Sequence, residues 1–267
     1  MFRNILIPVD FSQQSLQAFK IACKFGERGK SKLTLINIID IAGYPCSPVD
    51  DMNNSILDNL KQFAKEVDYA YPENIQYEVI SGMPGYTISE TANAGDYDLV
   101  IMGTHSKQSN VKKLIGSVAL KVLESSNIPV LVVPDNIHDL DVSKIAYATD
   151  FKKIKHHSTL DCLRELALDY DAELHLVNVT ENPDDVDDLE EEAHVLHEIF
   201  DDVNHAFFFS EDNDIKHGLR TYIKKNDINV LAMMPRKHNF IQDLFHKSAT
   251  EEVALDLDVP LFSFHEK

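Results

Sequence analysis

Short apolar runs alternate with amphipathic stretches along the whole chain, and the period of the pattern changes from one to the next. In the first half, strands are predicted over Asn4–Val9, Leu33–Ile39, Ile75–Ile80, Leu99–Gly103 and Pro129–Val133. Between them, Leu16, Phe19 and Cys23 recur at helical spacing, as do Ile56, Leu60, Phe63 and Val67. Ser12 is placed to cap the first of these helices, and Gly26 and Gly29 offer it a stop. In the second half, Leu163, Leu166, Ala167 and Tyr170 form one stripe, and Val186, Leu189, Ala193, Leu196 and Phe200 another. Strands alternating with helices predict βαβ units and a parallel sheet covered on both faces.

The chain also repeats itself. "NILIPVDF" from Asn4 matches "KIAYATDF" from Lys144, and "LTLINI" from Leu33 matches "LHLVNV" from Leu174, with Asn37 and Asn178 in register. "DLVIMGT" from Asp98 answers "NVLAMMP" from Asn229, and "IPVLVV" from Ile128 answers "VPLFSF" from Val259, both at an offset of 131. These matches imply a duplication. The fold class predicted is α/β: two tandem doubly wound, Rossmann-like domains, each with a five-stranded parallel sheet and helices on both faces. They are assigned to residues 1–136 and 142–267, with "DNIHDLDVS" from Asp135 as the joint.

Charge and cysteine usage narrow the partners. The net charge of −19 repels nucleic-acid backbones and anionic lipid, so neither is expected as a partner. Between Glu181 and Asp202 there are 11 acidic residues and no Lys or Arg, a pattern that reads as a solvated helix face. The longest apolar runs are far too short to span a bilayer, and "MFRNILIPVDF" does not read as a signal peptide. Three cysteines with no CxxC spacing fit a reducing compartment, so a cytoplasmic protein is expected.

Candidate chemistry lies at the ends of the strands, because in such sheets ligands bind outside the carboxyl ends where the winding reverses. The first strand delivers Pro8, Val9 and Asp10; the fourth delivers Met102 and Gly103. If these strands are neighbours, Asp10 and Gly103 face each other across a crevice. A polar loop carrying Lys107, Lys112 and Lys113 then leads to Gly116 and Ser117, where a helix opens whose free N–H groups and dipole favour an anion. On spacing alone the two glycines fit tight turns equally well, with the lysines as ordinary surface charges.

Both repeats resemble the universal stress protein family, and the resemblance covers nearly the whole chain in a tandem two-domain form. Nucleotide-binding members of that family carry G-x2-G-x9-G-[S/T] after the fourth strand, and this chain has Gly103, Ser106, Gly116 and Ser117 at those places. "ILIPVDFS" also looks like the family's first strand, whose Asp contacts the nucleoside. The resemblance implies an adenine nucleotide alpha hydrolase-like fold and an ATP-type site, with or without Mg²⁺, in the first repeat. Pro8, Val9 and Asp10 would lie at the adenosine, Ile38 and Met102 would be apolar walls, and Gly103, His105, Ser106, Gly116, Ser117 and Val118 would lie near ribose and phosphates. The Ser106 hydroxyl can donate to a phosphate oxygen in place of the missing glycine. In the second repeat the motif positions are Met234, Lys237, Lys247 and Ser248, with Arg236 and His238 nearby, so no ATP is expected there. The resemblance further implies an intramolecular pseudo-dimer, with further homodimerisation left open.

Other constellations add little. His194 and His197 on one predicted helix, near Glu191, Glu192 and Glu198, read as solvated surface, and His156 and His157 are merely adjacent, so no metal site is assigned. Cys23 and Cys162 read as buried inert thiols, and Cys46 as an exposed one. There is no GxSxG elbow and no GxxxxGK[ST] loop. The resemblance implies a regulatory nucleotide-binding stress-response protein, with at most weak ATP hydrolysis and protein partners the residues do not name. The alternative is a scaffold of the same fold that binds no nucleotide.

Overall fold

The computed structural model describes residues 2–40, 49–104, 115–151, 153–180, 189–234 and 258–265. The chain divides into two compact units, one holding the described residues up to Asp139 and the other those from Leu140 onward. In the first unit β1 (Asn4–Pro8), α1 (Gln13–Gly29), β2 (Lys32–Asp40), α2 (Val49–Ala64), β3 (Ile75–Gly82), α3 (Pro84–Ala94), β4 (Leu99–Gly103), α4 (Ser117–Ser125) and β5 (Val130–Val133) succeed one another. The strands are parallel and lie in the order β3-β2-β1-β4-β5. The chain therefore winds outward from β1 to β3 and returns to the other side of β1 with β4. That reversal puts a crevice between the carboxyl ends of β1 and β4.

The second unit repeats this winding with β6 (Lys144–Ala148), α5 (Asp161–Tyr170), β7 (Glu173–Thr180), α6 (Leu189–Ile199), β8 (His205–Glu211), α7 (Ile215–Lys225), β9 (Val230–Met233) and β10 (Leu261–Ser263). Its parallel order is β8-β7-β6-β9-β10. Consecutive residues are buried along the central strands: Ile5, Leu6 and Ile7 in β1, and Ile145, Ala146 and Tyr147 in β6. Burial without alternation means that both faces are covered, as the apolar runs predict. Each such Leu or Ile contributes about 1.5–3 kcal/mol by leaving water.

One polar residue recurs at the same point of each sheet. Asn37 Nδ2 donates to the Val9 carbonyl at 2.7 Å, and Asn178 Nδ2 donates to the Thr149 carbonyl at 2.9 Å. The N–H of Val9 is already paired with the Ile36 carbonyl, and that of Thr149 with the Val177 carbonyl. The asparagine thus satisfies the last carbonyl of the strand just where the ladder stops, and fixes the direction in which the chain leaves.

Two expectations are corrected. Gly26 is not a helix stop: it lies inside α1, buried, and a Cβ there would come within 2.6 Å of the Tyr69 hydroxyl, which donates to the Ser31 carbonyl. The helix closes at Gly29, the other expected stop, with Lys30 as its cap in the left-handed region, φ 53°. Val67 falls beyond the end of α2, which closes at Ala64. Among the described residues no helix is long and apolar enough to cross a membrane.

A buried titratable group lies beneath α7. His175 in β7 is 4% exposed, stacks on Phe208 with centroids 4.5 Å apart, and has Nδ1 2.8 Å from the Tyr222 hydroxyl. Burial lowers its pKa below the ordinary histidine value, outweighing the raising effect of Glu173, whose carboxylate is 3.2 Å from Nε2. The folded state therefore resists a proton that the unfolded chain accepts at about pH 6.5. The stabilisation from His175 is complete above that pH and is lost as pH falls below it. Urea unfolding at pH 7.5 and 5.5 should show wild type losing more stability over this interval than His175→Gln; equal losses would mean that His175 does not contribute.

Candidate functional site

The crevice of the first unit is built by three chain segments that converge on one end of the sheet. β1 and β4 are neighbours, with Ile5 opposite Leu99 and Leu6 opposite Val100, so the condition for Asp10 to face Gly103 is met. Beyond Pro8 and Val9 the chain turns through Phe11, which has φ 62° and is 41% exposed. The strained turn is held by Asp10, whose Oδ1 accepts from the Ser12 N–H at 3.1 Å and the Ser12 hydroxyl at 2.5 Å. Ser12 in turn caps α1, its Oγ accepting from the Ser15 N–H at 3.1 Å. One short sequence, Asp10 to Ser15, therefore ends a strand, makes the turn and starts a helix.

The first turn of α1 lies directly against the end of β4. A Cβ on Gly103 would stand 2.5 Å from the Gln14 carbonyl oxygen and 2.7 Å from its carbon, distances no side chain accommodates. The glycine at this position is thus demanded by helix packing. Met102 is buried, Ile38 in β2 is half-buried, and Thr104 is buried with its N–H on the Val133 carbonyl at 3.1 Å.

On the other side of the crevice α4 opens at Gly116, which has φ −67° and ψ 155° and offers no side chain to the helix start. The N–H groups of the first turn, from Ser117 onward, accordingly have no side-chain cap, and Ser117 and Val118 are exposed. The far end of α4 is fixed by Asn93 of α3, which donates to the Ser125 carbonyl at 2.9 Å and accepts from the Asn127 N–H at 2.6 Å. Pro8, Val9, Asp10, Ile38, Met102, Gly103, Gly116, Ser117 and Val118 are all described. His105 and Ser106, with Lys107, Lys112 and Lys113, lie outside the described residues.

The second unit differs at the same place for a physical reason the spacing does not reveal. By the match of β1 with β6, Gln13–Lys20 of α1 correspond to residues 153–160, which form no α-helix; α5 starts only at Asp161, after a 3-10 turn at His157–Leu160. With the first two turns unwound, the steric demand on the strand end disappears, and Met234, 7% exposed, stands where Gly103 stands. Ile154, at the position of Gln14, is buried, and its N–H finds the Glu192 carboxylate at 3.3 Å. Glu192 is 4% exposed, which corrects the expectation that this acidic stretch is wholly a solvated face: an unwound buried backbone needs an acceptor.

Phe151 has φ 49°, like Phe11, but no exposed surface; its ring packs on Phe207 and Phe209 of β8, at 5.9 and 5.6 Å, and so spans the width of β7. Arg236, Lys237, His238, Lys247 and Ser248 lie outside the described residues, as does Cys46.

Burial pushes the Cys23 and Cys162 thiols up to about 12, so both stay protonated and unreactive at neutral pH. Among the described residues no group of three or more His, Cys, Asp and Glu could hold a metal ion.

Known proteins share the family and the fold of this chain. The model of the universal stress protein family matches residues 1–134. Two universal stress proteins of Methanocaldococcus jannaschii are similar: one is 29% identical over 140 residues, covering 50% of this chain and 82% of its own, and the other is 30% identical over 159 residues, covering 50% and 95%. Among solved structures, a universal stress protein from Archaeoglobus fulgidus matches over 98% of this chain and 96% of its own, with a TM-score of 0.72 at 19% identity. A protein of unknown function from Pseudomonas aeruginosa matches over 99% and 93%, with a TM-score of 0.67 at 16% identity. At such identities the structural likenesses show the fold.

The packing on Gly103 has a direct test. Gly103→Ala should lower the stability of the protein by about 1–3 kcal/mol, because the methyl meets helix backbone that cannot move aside. Gly116→Ala, at dihedrals any residue adopts, should cost roughly 1 kcal/mol or less. Urea midpoints at constant m-value distinguish the two, and equal costs would contradict the packing argument.

Proposed function

The chain belongs to the universal stress protein family, and from that premise we propose that its first unit binds ATP or a related adenine nucleotide in the crevice between β1 and β4. The observation that carries the reading is the juxtaposition at the switch point: Asp10 leaves β1 on one side, and the side-chain-free start of α4 lies on the other. The residues fit the two halves of such a ligand. Exposed N–H groups on a helix dipole suit phosphate oxygens, and half-buried Ile38 with buried Met102 suit an apolar base. The proposed contacts are Pro8, Val9, Asp10, Ile38, Met102, Gly103, His105, Ser106, Gly116, Ser117 and Val118.

Ligation in the second unit is not part of the proposal. Its strand end carries Met234, and Phe151 lies over β7. The role proposed for the whole chain is regulatory, a stress-response protein whose nucleotide state alters the partners it selects, with no catalytic set required of it.

A second reading, an interaction module with no nucleotide, is favoured by two observations. Gly103 is explained by Gln14 alone, and Asp10 Oδ1 is already engaged by Ser12.

The readings separate by calorimetric titration of nucleotide-stripped protein with ATP and Mg²⁺. One equivalent should bind to wild type. Gly116→Asp should bind at least about tenfold more weakly, since a carboxylate about 4 Å from a phosphate repels it by several kcal/mol at an intermediate dielectric. The same substitution supplies α4 with a good cap, so lost binding would not reflect a lost fold. No heat with wild type, and no nucleotide carried through purification, would favour the module; two equivalents would refute the silence of the second unit.

A further inference from the structure

His197, in the last turn of α6, and His205, the first residue of β8, meet across the turn that joins them. His197 Nδ1 and His205 Nε2 are 2.9 Å apart, with ring centroids at 5.0 Å and an interplanar angle of 50°. The protonation of the pair is set by its neighbours. His205 Nδ1 is 2.9 Å from the Val203 carbonyl, which can only accept, so this nitrogen carries a hydrogen. In a neutral ring that leaves the Nε2 lone pair aimed at His197, whose Nδ1–H donates to it.

The geometry points to a two-imidazole site for a divalent transition cation, in which the metal takes the place of the hydrogen shared by His197 and His205. Loading needs no net change of protons on the rings. The hydrogen on His197 Nδ1 leaves and one is taken up on its Nε2, so that Nδ1 and His205 Nε2 both present lone pairs to the cation.

Three features support the assignment. Two imidazole nitrogens on a tetrahedral Zn²⁺, at 2.0–2.1 Å from it, stand about 3.3–3.4 Å apart, so the rings need to separate by only about half an ångström. The outer support that ligating histidines use is already built, since His205 donates its other N–H to a backbone carbonyl. The surroundings favour a cation: His197 is exposed at the end of α6, where Glu198 and Asp201 are exposed too. Phe200 and Phe207 flank His205, at 6.3 and 6.0 Å, and limit its movement. Among the described residues no third protein ligand converges, so water completes the shell and the affinity is that of a chelating pair. Imidazole donors select zinc, nickel or copper over magnesium and calcium.

The test is titration of tag-free protein with Zn²⁺ in competition with a chromophoric chelator. Wild type should show one site that is weakened about tenfold or more in His197→Gln and in His205→Gln separately. His194→Gln should bind as wild type does, because His194 is occupied with Glu198 at 3.4 Å. Binding in wild type equal to that in both variants, or no saturable site at all, would overturn the proposal. Cu²⁺ at one equivalent on folded wild type provides a readout that does not depend on the variants folding. Spin-resonance hyperfine structure from two imidazole nitrogens is expected, and one or none would also overturn it.

Discussion

The first turn of α1 rests on the backbone of Gly103, and the form of the crevice depends on that contact. For the helix to begin at Gln13 it must be capped at once, which Ser12 does, and the strand must be turned sharply before it, which Asp10 and the left-handed Phe11 do. For the helix to lie where it does, β4 must end in a residue with no Cβ. These requirements are mutually dependent: remove the close approach and the glycine, the cap and the early helix start each lose their reason. The second unit shows the released state. Its helix starts two turns late, a methionine holds the glycine's place, and Glu192 is drawn into the interior to meet the freed N–H of Ile154. A glycine that a motif would assign to phosphate binding is thus accounted for by helix packing.

Both units retain the machinery that ends the central strand. Asn37 and Asn178 occupy the same place, bind the same carbonyl and leave the chain pointing the same way, although the segments beyond β1 and β6 differ, one coiling at once into a helix and the other not. The sheet order and the burial of the central strands are equally unchanged. The scaffold thus separates into a part that specifies the winding and a part, the loops after β1 and β4, that can be rebuilt without disturbing it.

The legibility of these features in the sequence divides along the same line. Strands such as Leu99–Gly103 are readable to the residue, because burial on both faces leaves an uninterrupted apolar run. The Ser12 cap is readable because it acts within three residues, and the Asn37–Asn178 register because the repeat displays it, although each asparagine bonds the end of a neighbouring strand. Gly26 misleads, because the side chain it accommodates is that of Tyr69, more than forty positions away in the chain. Glu192 looks like any other carboxylate of an acidic helix, and its burial is caused by a helix that fails to form in a different segment. His205 has no helical partner by spacing, so its approach to His197 appears only when the strand folds back along the helix. For Gly26 and Glu192 the deciding contact is long-range, and for His205 it crosses from a helix to the strand that follows, so a single local period carries no signal for any of them.

The asymmetry of the units bears on what a duplicated fold can do. A doubly wound sheet always leaves a concave end where its winding reverses, and that end must be either filled from within or left for something else. The second unit fills part of its own with Phe151, whose ring packs on β8 and has no exposed surface, and with the buried Met234. In the first unit the equivalent ring, Phe11, stays 41% exposed against Phe63, the strand end carries no side chain, and α4 begins without a side-chain cap. Leaving apolar ring surface at solvent forgoes stabilisation that the second unit has. Two copies of one winding thus differ at a single place: the second unit buries a ring and a methionine there, whereas the first leaves its ring partly exposed and ends its strand on a glycine.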